Sequence, residues 1–97
     1  MISRQEVIAR LKSLKGDLAT RYDVREIGIF GSVARGENDH GSDIDLLVEF
    51  GSHADLLTFI GLWQYLEDSF GMKIDLVSKG GLRHEMRDAV MRDVVFI

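Results

Sequence analysis

Residues 42–50 read Ser42-Asp43-Ile44-Asp45-Leu46-Leu47-Val48-Glu49-Phe50. The alternation from Asp43 onward is close to period 2 and predicts a β-strand over residues 43–50. Side chains at i and i+2 of a strand share a face, so Asp43 and Asp45 sit side by side, about 7 Å apart at the Cα. Ile44, Leu46 and Val48 then line the opposite face. Aspartate is depleted in strands and adjacent like charges repel, so the pair calls for a reason. One reason is a strand with one wet face. The other is a divalent cation, because Mg²⁺ takes oxygen ligands and commonly binds through one or two carboxylates plus substrate phosphates.

Two features on either side bear on that choice. Downstream, the run Met72-Lys73-Ile74-Asp75-Leu76-Val77 predicts a third strand with an acid in its middle. If that strand lies beside residues 43–50, Asp43, Asp45 and Asp75 converge on one face. Three such carboxylates suit a pair of metal ions, the arrangement many enzymes use for in-line phosphoryl or nucleotidyl transfer. By itself Asp75 reads equally well as a half-exposed strand residue. Upstream, Gly31-Ser32 falls between a β-rich run, Val24 to Phe30, and a short Val-Ala-Arg segment closed by Gly36. Glycine lets backbone approach a phosphate, and N–H groups at a helix start favour anions. Ser32 also reads as an ordinary helix N-cap.

The rest of the chain supplies a scaffold. Ser3 and Glu6 have the form of a capping box, and Val7, Leu11, Leu14 and Leu18 recur at helical spacing, predicting a helix over residues 3–20. Residues 55–70 predict a second long helix stopped by Gly71, with Leu56, Phe59, Ile60, Leu62, Trp63, Leu66 and Phe70 as its core stripe and Leu57 and Tyr65 outside it. Gly80-Gly81 reads as a turn, residues 82–91 as a last helix and 94–97 as a short closing strand. The order αβ(α)βαβαβ implies an α+β (mixed α/β) fold, a sheet of about four strands with helices packed on it. With 97 residues and no visible linker or repeat, 1–97 is expected to form a single domain.

Composition narrows the function. There is no cysteine, which removes thiolate nucleophiles and Cys-based metal sites. Sixteen acidic against twelve basic residues leave a net charge of −4, the wrong sign for a module that grips nucleic acid by its phosphates. Met1 to Glu6 is too polar for a signal peptide and no run is long enough for a membrane span, so a cytoplasmic protein is expected. His40, His53 and His84 show no metal spacing. Arg83 and Arg87, one helical turn apart, are expected on a solvated face.

Taken together, Gly31-Ser32-Val33-Ala34-Arg35-Gly36 and Ser42-Asp43-Ile44-Asp45-Leu46-Leu47-Val48 resemble the signature of the DNA polymerase β-like nucleotidyltransferases. More narrowly, the chain is similar to the minimal nucleotidyltransferase (MNT) antitoxins of HEPN–MNT toxin–antitoxin pairs, over essentially its whole length. The resemblance implies that Gly31 and Ser32 hold the β,γ-phosphates of ATP, and that Asp43, Asp45 and Asp75 ligate two Mg²⁺ ions. It implies further that Asp75 is the general base, that Arg35 reaches the triphosphate and that Ser42 orients the loop before Asp43. The implied reaction transfers AMP, with loss of pyrophosphate, to a tyrosine of a HEPN ribonuclease partner in a hetero-oligomer. Two alternatives stand beside it. One is an antitoxin that neutralises its toxin by contact alone. The other is a nucleotidyltransferase acting on a small molecule or RNA, disfavoured by the acidic balance and by the short chain, which leaves little for holding such an acceptor.

Overall fold

The structure, a computed structural model, describes residues 2–97. The first helix, α1 (Arg4–Tyr22), starts where the capping box places it: Glu6 N–H donates to Ser3 Oγ at 3.1 Å, and Ser3 N–H donates to Glu6 Oε1 at 3.2 Å. It ends at Asp23, whose left-handed backbone (φ 54°) turns the chain directly into β1 (Val24–Phe30). A five-residue helix, α2 (Gly31–Arg35), follows, then β2 (Ile44–Phe50), α3 (Leu56–Phe70), β3 (Ile74–Ser78), a 3₁₀ turn at Lys79–Gly81, α4 (His84–Asp93) and β4 (Val95–Phe96). The element order is the one the periodicities imply. Boundaries move by one or two residues at most positions; Asp43 stands one residue ahead of its strand, and α4 begins two residues late because Leu82 and Arg83 leave the 3₁₀ turn extended.

The strands form one mixed sheet in the order β3-β2-β1-β4, with β2 and β3 parallel and the other neighbours antiparallel. The crossover between the parallel pair is α3. Register divides the sheet into two faces of opposite character. Ile27, Ile29, Ile44, Leu46, Val48, Ile74 and Leu76 point to one side and are buried under Val7, Leu11 and Leu18 of α1 and Leu62, Leu66 and Phe70 of α3. A register shift between Val24 and Glu26 lets Val24 join this core although it stands three residues from Ile27. On the other side, Phe30, Asp45 and Asp75 form one row and Gly28, Leu47 and Val77 the next. Here α4 packs on β1 and α2 and buries one residue of its own, Val90, and Leu47 of the sheet is 1% exposed. Gly28 is required by closeness, since a Cβ there would lie 2.8 Å from the Val95 carbonyl oxygen and 2.9 Å from Val94 Cγ2.

The α3 stripe is narrower than its sequence suggests. Leu62, Leu66 and Phe70 are buried, but Leu56 is 72% and Ile60 50% exposed, and Trp63 and Phe59 lie at the edge. The helix meets α1 and β3 along one flank only, so the arc that reaches the core is less than the arc that is apolar. Leu66→Ala is therefore expected to cost about 2–5 kcal/mol by chemical denaturation. Ile60→Ala, in the same periodic stripe, should cost less than about 1 kcal/mol.

Candidate active site

The open face of the sheet carries the acids. Asp45 and Asp75 are register partners on adjacent parallel strands, so their side chains leave the sheet side by side, as required for convergence. Asp45 is half-buried and Asp75 exposed. The Asp45 carboxyl is pushed up to about 6, first by burial, then by the Asp75 charge and a hydrogen bond between the two carboxyls, then by the Asp43 charge; Arg35 pulls weakly the other way. Among the described residues no three His, Cys, Asp or Glu side chains are already grouped so as to hold a metal ion. The close pair is Asp45–Asp75, and Asp43 acts on it through charge.

Asp75 is held from behind. Its strand is the sheet edge, and the outward backbone groups of the preceding residue are both taken by α3: Trp63 Nε1–H donates to the Ile74 carbonyl at 2.8 Å, and Ile74 N–H donates to Glu67 Oε2 at 3.0 Å. Trp63 sits at the helix margin because its indole reaches over to this strand. The edge is thereby paired at Ile74, which fixes the backbone beside Asp75.

Gly31 is glycine for two reasons. Its φ of +72° lies in the left-handed region, and a Cβ would overlap the Asp45 carboxylate, with Asp45 Cγ at 3.0 Å. The Gly31 backbone therefore touches the acid row directly. Ser32 is not the N-cap that its place before a helix suggests: the cap position is Phe30, with no side-chain capping bond, and Ser32 is the second residue of α2. Ser42 organises the loop before Asp43. Its Oγ accepts from Asp39 N–H at 3.0 Å, its own N–H donates to the Asp39 carbonyl at 3.1 Å, and Gly41 N–H donates to Asp39 Oδ1 at 2.9 Å. Arg35 is engaged elsewhere, with Nε on Glu37 at 3.1 Å and a terminal nitrogen on Asp93 at 2.6 Å, tying the end of α2 to the end of α4. These two carboxylates raise its pKa. Arg83, Arg87, His40 and His84 are exposed, and His53 contributes its backbone N–H to Asp23.

One feature near the acids was not singled out in the sequence. A cleft of about 240 Å³ opens beside Asp75, between β3 and α4, lined by Phe30, Val77, Leu82, Met86 and Val90 with Arg83 at the rim. The i, i+4 pair Met86–Val90 was its sole sequence signal.

A family model for the nucleotidyltransferase domain matches residues 11–97. The chain belongs to the nucleotidyltransferase domain family. It is 42% identical over 97 residues to the protein adenylyltransferase MntA of Thermococcus cleftensis, covering 100% of this chain and 98% of that one. A solved structure described as a candidate minimal nucleotidyltransferase superposes with a TM-score of 0.83 at 35% identity, covering 97% of this chain and 95% of the other. A Shewanella oneidensis complex of a tri-AMPylated HEPN toxin with its MNT antitoxin aligns with a TM-score of 0.65 at 21% identity, covering 96% and 70%, a likeness of fold. The family implies a nucleoside triphosphate substrate and a divalent metal. The donor set fits such an ion: every candidate ligand is a hard carboxylate oxygen, the carboxylates repel one another more than Arg35 offsets, and Mg²⁺ completes its shell from phosphates and water.

The raised Asp45 carboxyl makes a pH prediction. The folded protein holds this proton more tightly than the unfolded chain, so stability is withdrawn as pH rises from 3.8 to about 6 and the loss is complete above that window. In thermal melts with EDTA, the Tm of Asp45→Asn minus that of the parent should grow across the window and level off beyond it. A difference independent of pH would contradict burial and repulsion as the cause.

Proposed function

We propose that this nucleotidyltransferase is a protein adenylyltransferase: with Mg²⁺ it transfers AMP from ATP to a tyrosine of a HEPN-domain ribonuclease partner and so acts as that toxin's antitoxin. The observation that carries the reading is the pairing of Asp45 with Asp75 on adjacent strands, with the Gly31 backbone against the Asp45 carboxylate. Relatedness to a protein adenylyltransferase along the whole chain supports the choice of acceptor class.

In this reading Gly31 N–H and Ser32 Oγ hold the β,γ-phosphates, and the Arg35 charge at the end of α2 favours the triphosphate. Reaching it directly requires Arg35 to release Asp93. Ser42 keeps the loop before Asp43 in shape. Asp43, Asp45 and Asp75 would hold two Mg²⁺, which when bound supply positive charge to the reacting phosphate. Asp75 Oδ takes the proton of the acceptor hydroxyl as that oxygen bonds to the α-phosphorus. The bond from the α-phosphorus to the bridging oxygen breaks, and pyrophosphate leaves with the electron pair. Residues 1–97 act as one minimal domain, in the cytoplasm, with the partner protein positioning the acceptor and no nucleic acid bound by this chain itself. No described helix is long and apolar enough to cross a membrane.

Incubating the chain with ATP, Mg²⁺ and a candidate HEPN partner should raise the partner's intact mass by one or more AMP units and abolish its RNA cleavage. Asp43→Asn should prevent the mass gain. Neutralisation of the toxin by Asp43→Asn without any AMP would instead establish inhibition by contact. Ser32→Ala, which removes no helix cap, should leave the Tm nearly unchanged. Its triphosphate affinity by calorimetry should fall roughly 10- to 150-fold, the equivalent of about 1.5–3 kcal/mol for a hydrogen bond to a charged group.

A further inference from the structure

We propose that the cleft between β3 and α4 is the acceptor pocket of this site, taking an aromatic hydroxyl side chain with its ring among Val77, Leu82, Met86 and Val90 and its oxygen at Asp75. The inference rests on the adenylyltransferase reading above and adds where the acceptor is received and which residues select it.

The lining is apolar apart from Asp75 and the rim residue Arg83, and the cleft measures about 240 Å³. A cavity of roughly 150 Å³ with aliphatic walls takes up benzene, so a phenol ring fits here with room for its oxygen. The floor comes from the acid-bearing face itself: Phe30 and Asp75 share the row of Asp45, and Val77 follows Asp75 on the same side. A ring in the cleft therefore has its polar atom in contact with Asp75.

That adjacency decides between the two aromatic groups the reaction brings together. The nucleotide's base is separated from the reacting phosphorus by a ribose, whereas the acceptor oxygen has to come within about 3–3.5 Å of it. A pocket whose one floor carboxylate belongs to the acid row has the reach of the acceptor. The chemistry agrees, because a phenolic O–H donates to a carboxylate while the rest of its ring is apolar like the walls. An aliphatic hydroxyl, as on serine, would leave the apolar walls unfilled. Met86, half in solvent on the outer wall, has the flexibility to close over a ring.

The test uses the whole chain, labelled with ¹³C at its methyl groups, and p-cresol as the probe. Titration should shift the Met86, Val77 and Val90 methyl resonances and leave those of the core residues Ile29 and Leu62 in place. Met86→Trp fills the cleft from an exposed helix position, so it should abolish the Val77 and Val90 shifts with the core spectrum intact. Met86→Ala, which opens the wall, should weaken p-cresol binding without loss of fold. In the transfer assay Met86→Trp should lower AMP incorporation into the partner by about 10-fold or more, the scale of a misplaced acceptor, with affinity for ATP and Mg²⁺ unchanged. Shifts of the same methyls by AMP and not by p-cresol would assign the cleft to the base and overturn the proposal, as would no shift with either. Saturable p-cresol binding in a chain that transfers AMP to no protein would refute the adenylyltransferase reading while leaving the pocket in place.

Discussion

Like-charge crowding around Asp45 is the constraint to which the rest of the site answers. The carboxylate is half-buried, beside Asp75 and near Asp43, with the Gly31 backbone pressed against it. Placed there with only the weak pull of Arg35 to offset burial and repulsion, it costs stability at neutral pH. The cost is bearable because it is confined to one face of the sheet. On the other face the intervening residues Ile44, Leu46 and Val48 are fully buried under two helices. The period-2 geometry of β2 separates the residues that hold the fold from the acids proposed to do the chemistry by a single step along the chain.

The same economy shows in how the neighbours are fixed. The acids stand on or beside β2 and β3, with Gly31 following β1, and each position is fixed by a different local device. Gly31 opens α2 with a positive φ that only a residue without a side chain adopts beside Asp45. Asp43 enters through a loop that Ser42 and Asp39 hold by mutual hydrogen bonds. Asp75 stands on an edge strand beside Ile74, whose outward groups are taken by Trp63 and Glu67. The helix α4, which walls the cleft, packs on β1 and α2, with Val90 buried and the Arg35–Asp93 ion pair at its end.

Much of this was legible in the residues alone. The capping box of Ser3 and Glu6, the alternation of residues 43–50 and the stop at Gly71 are local signals, and each element formed where its signal lies. The αβ(α)βαβαβ order and the pairing of Asp45 with Asp75 on one face followed from periodicity once the two strands were adjacent. What periodicity misjudged was α3. A helix with a wide apolar arc says nothing about how much of that arc a neighbour covers, and Leu56 and Ile60 stay in solvent because α1 and β3 reach only one flank.

The sequence by itself determined the identity and chemistry of the acids, the glycine at the turn and the two-faced strand that carries them, because these depend on residue type and on spacings of a few positions. The tertiary structure alone decided that Ser32 is no N-cap, that Arg35 is paired with Asp93 across 58 positions of the chain, and that Phe30, Val77 and Met86 enclose a cleft beside Asp75. Those are meetings between elements far apart in sequence. Packing of whole faces sets them, and no local pattern encodes which faces meet.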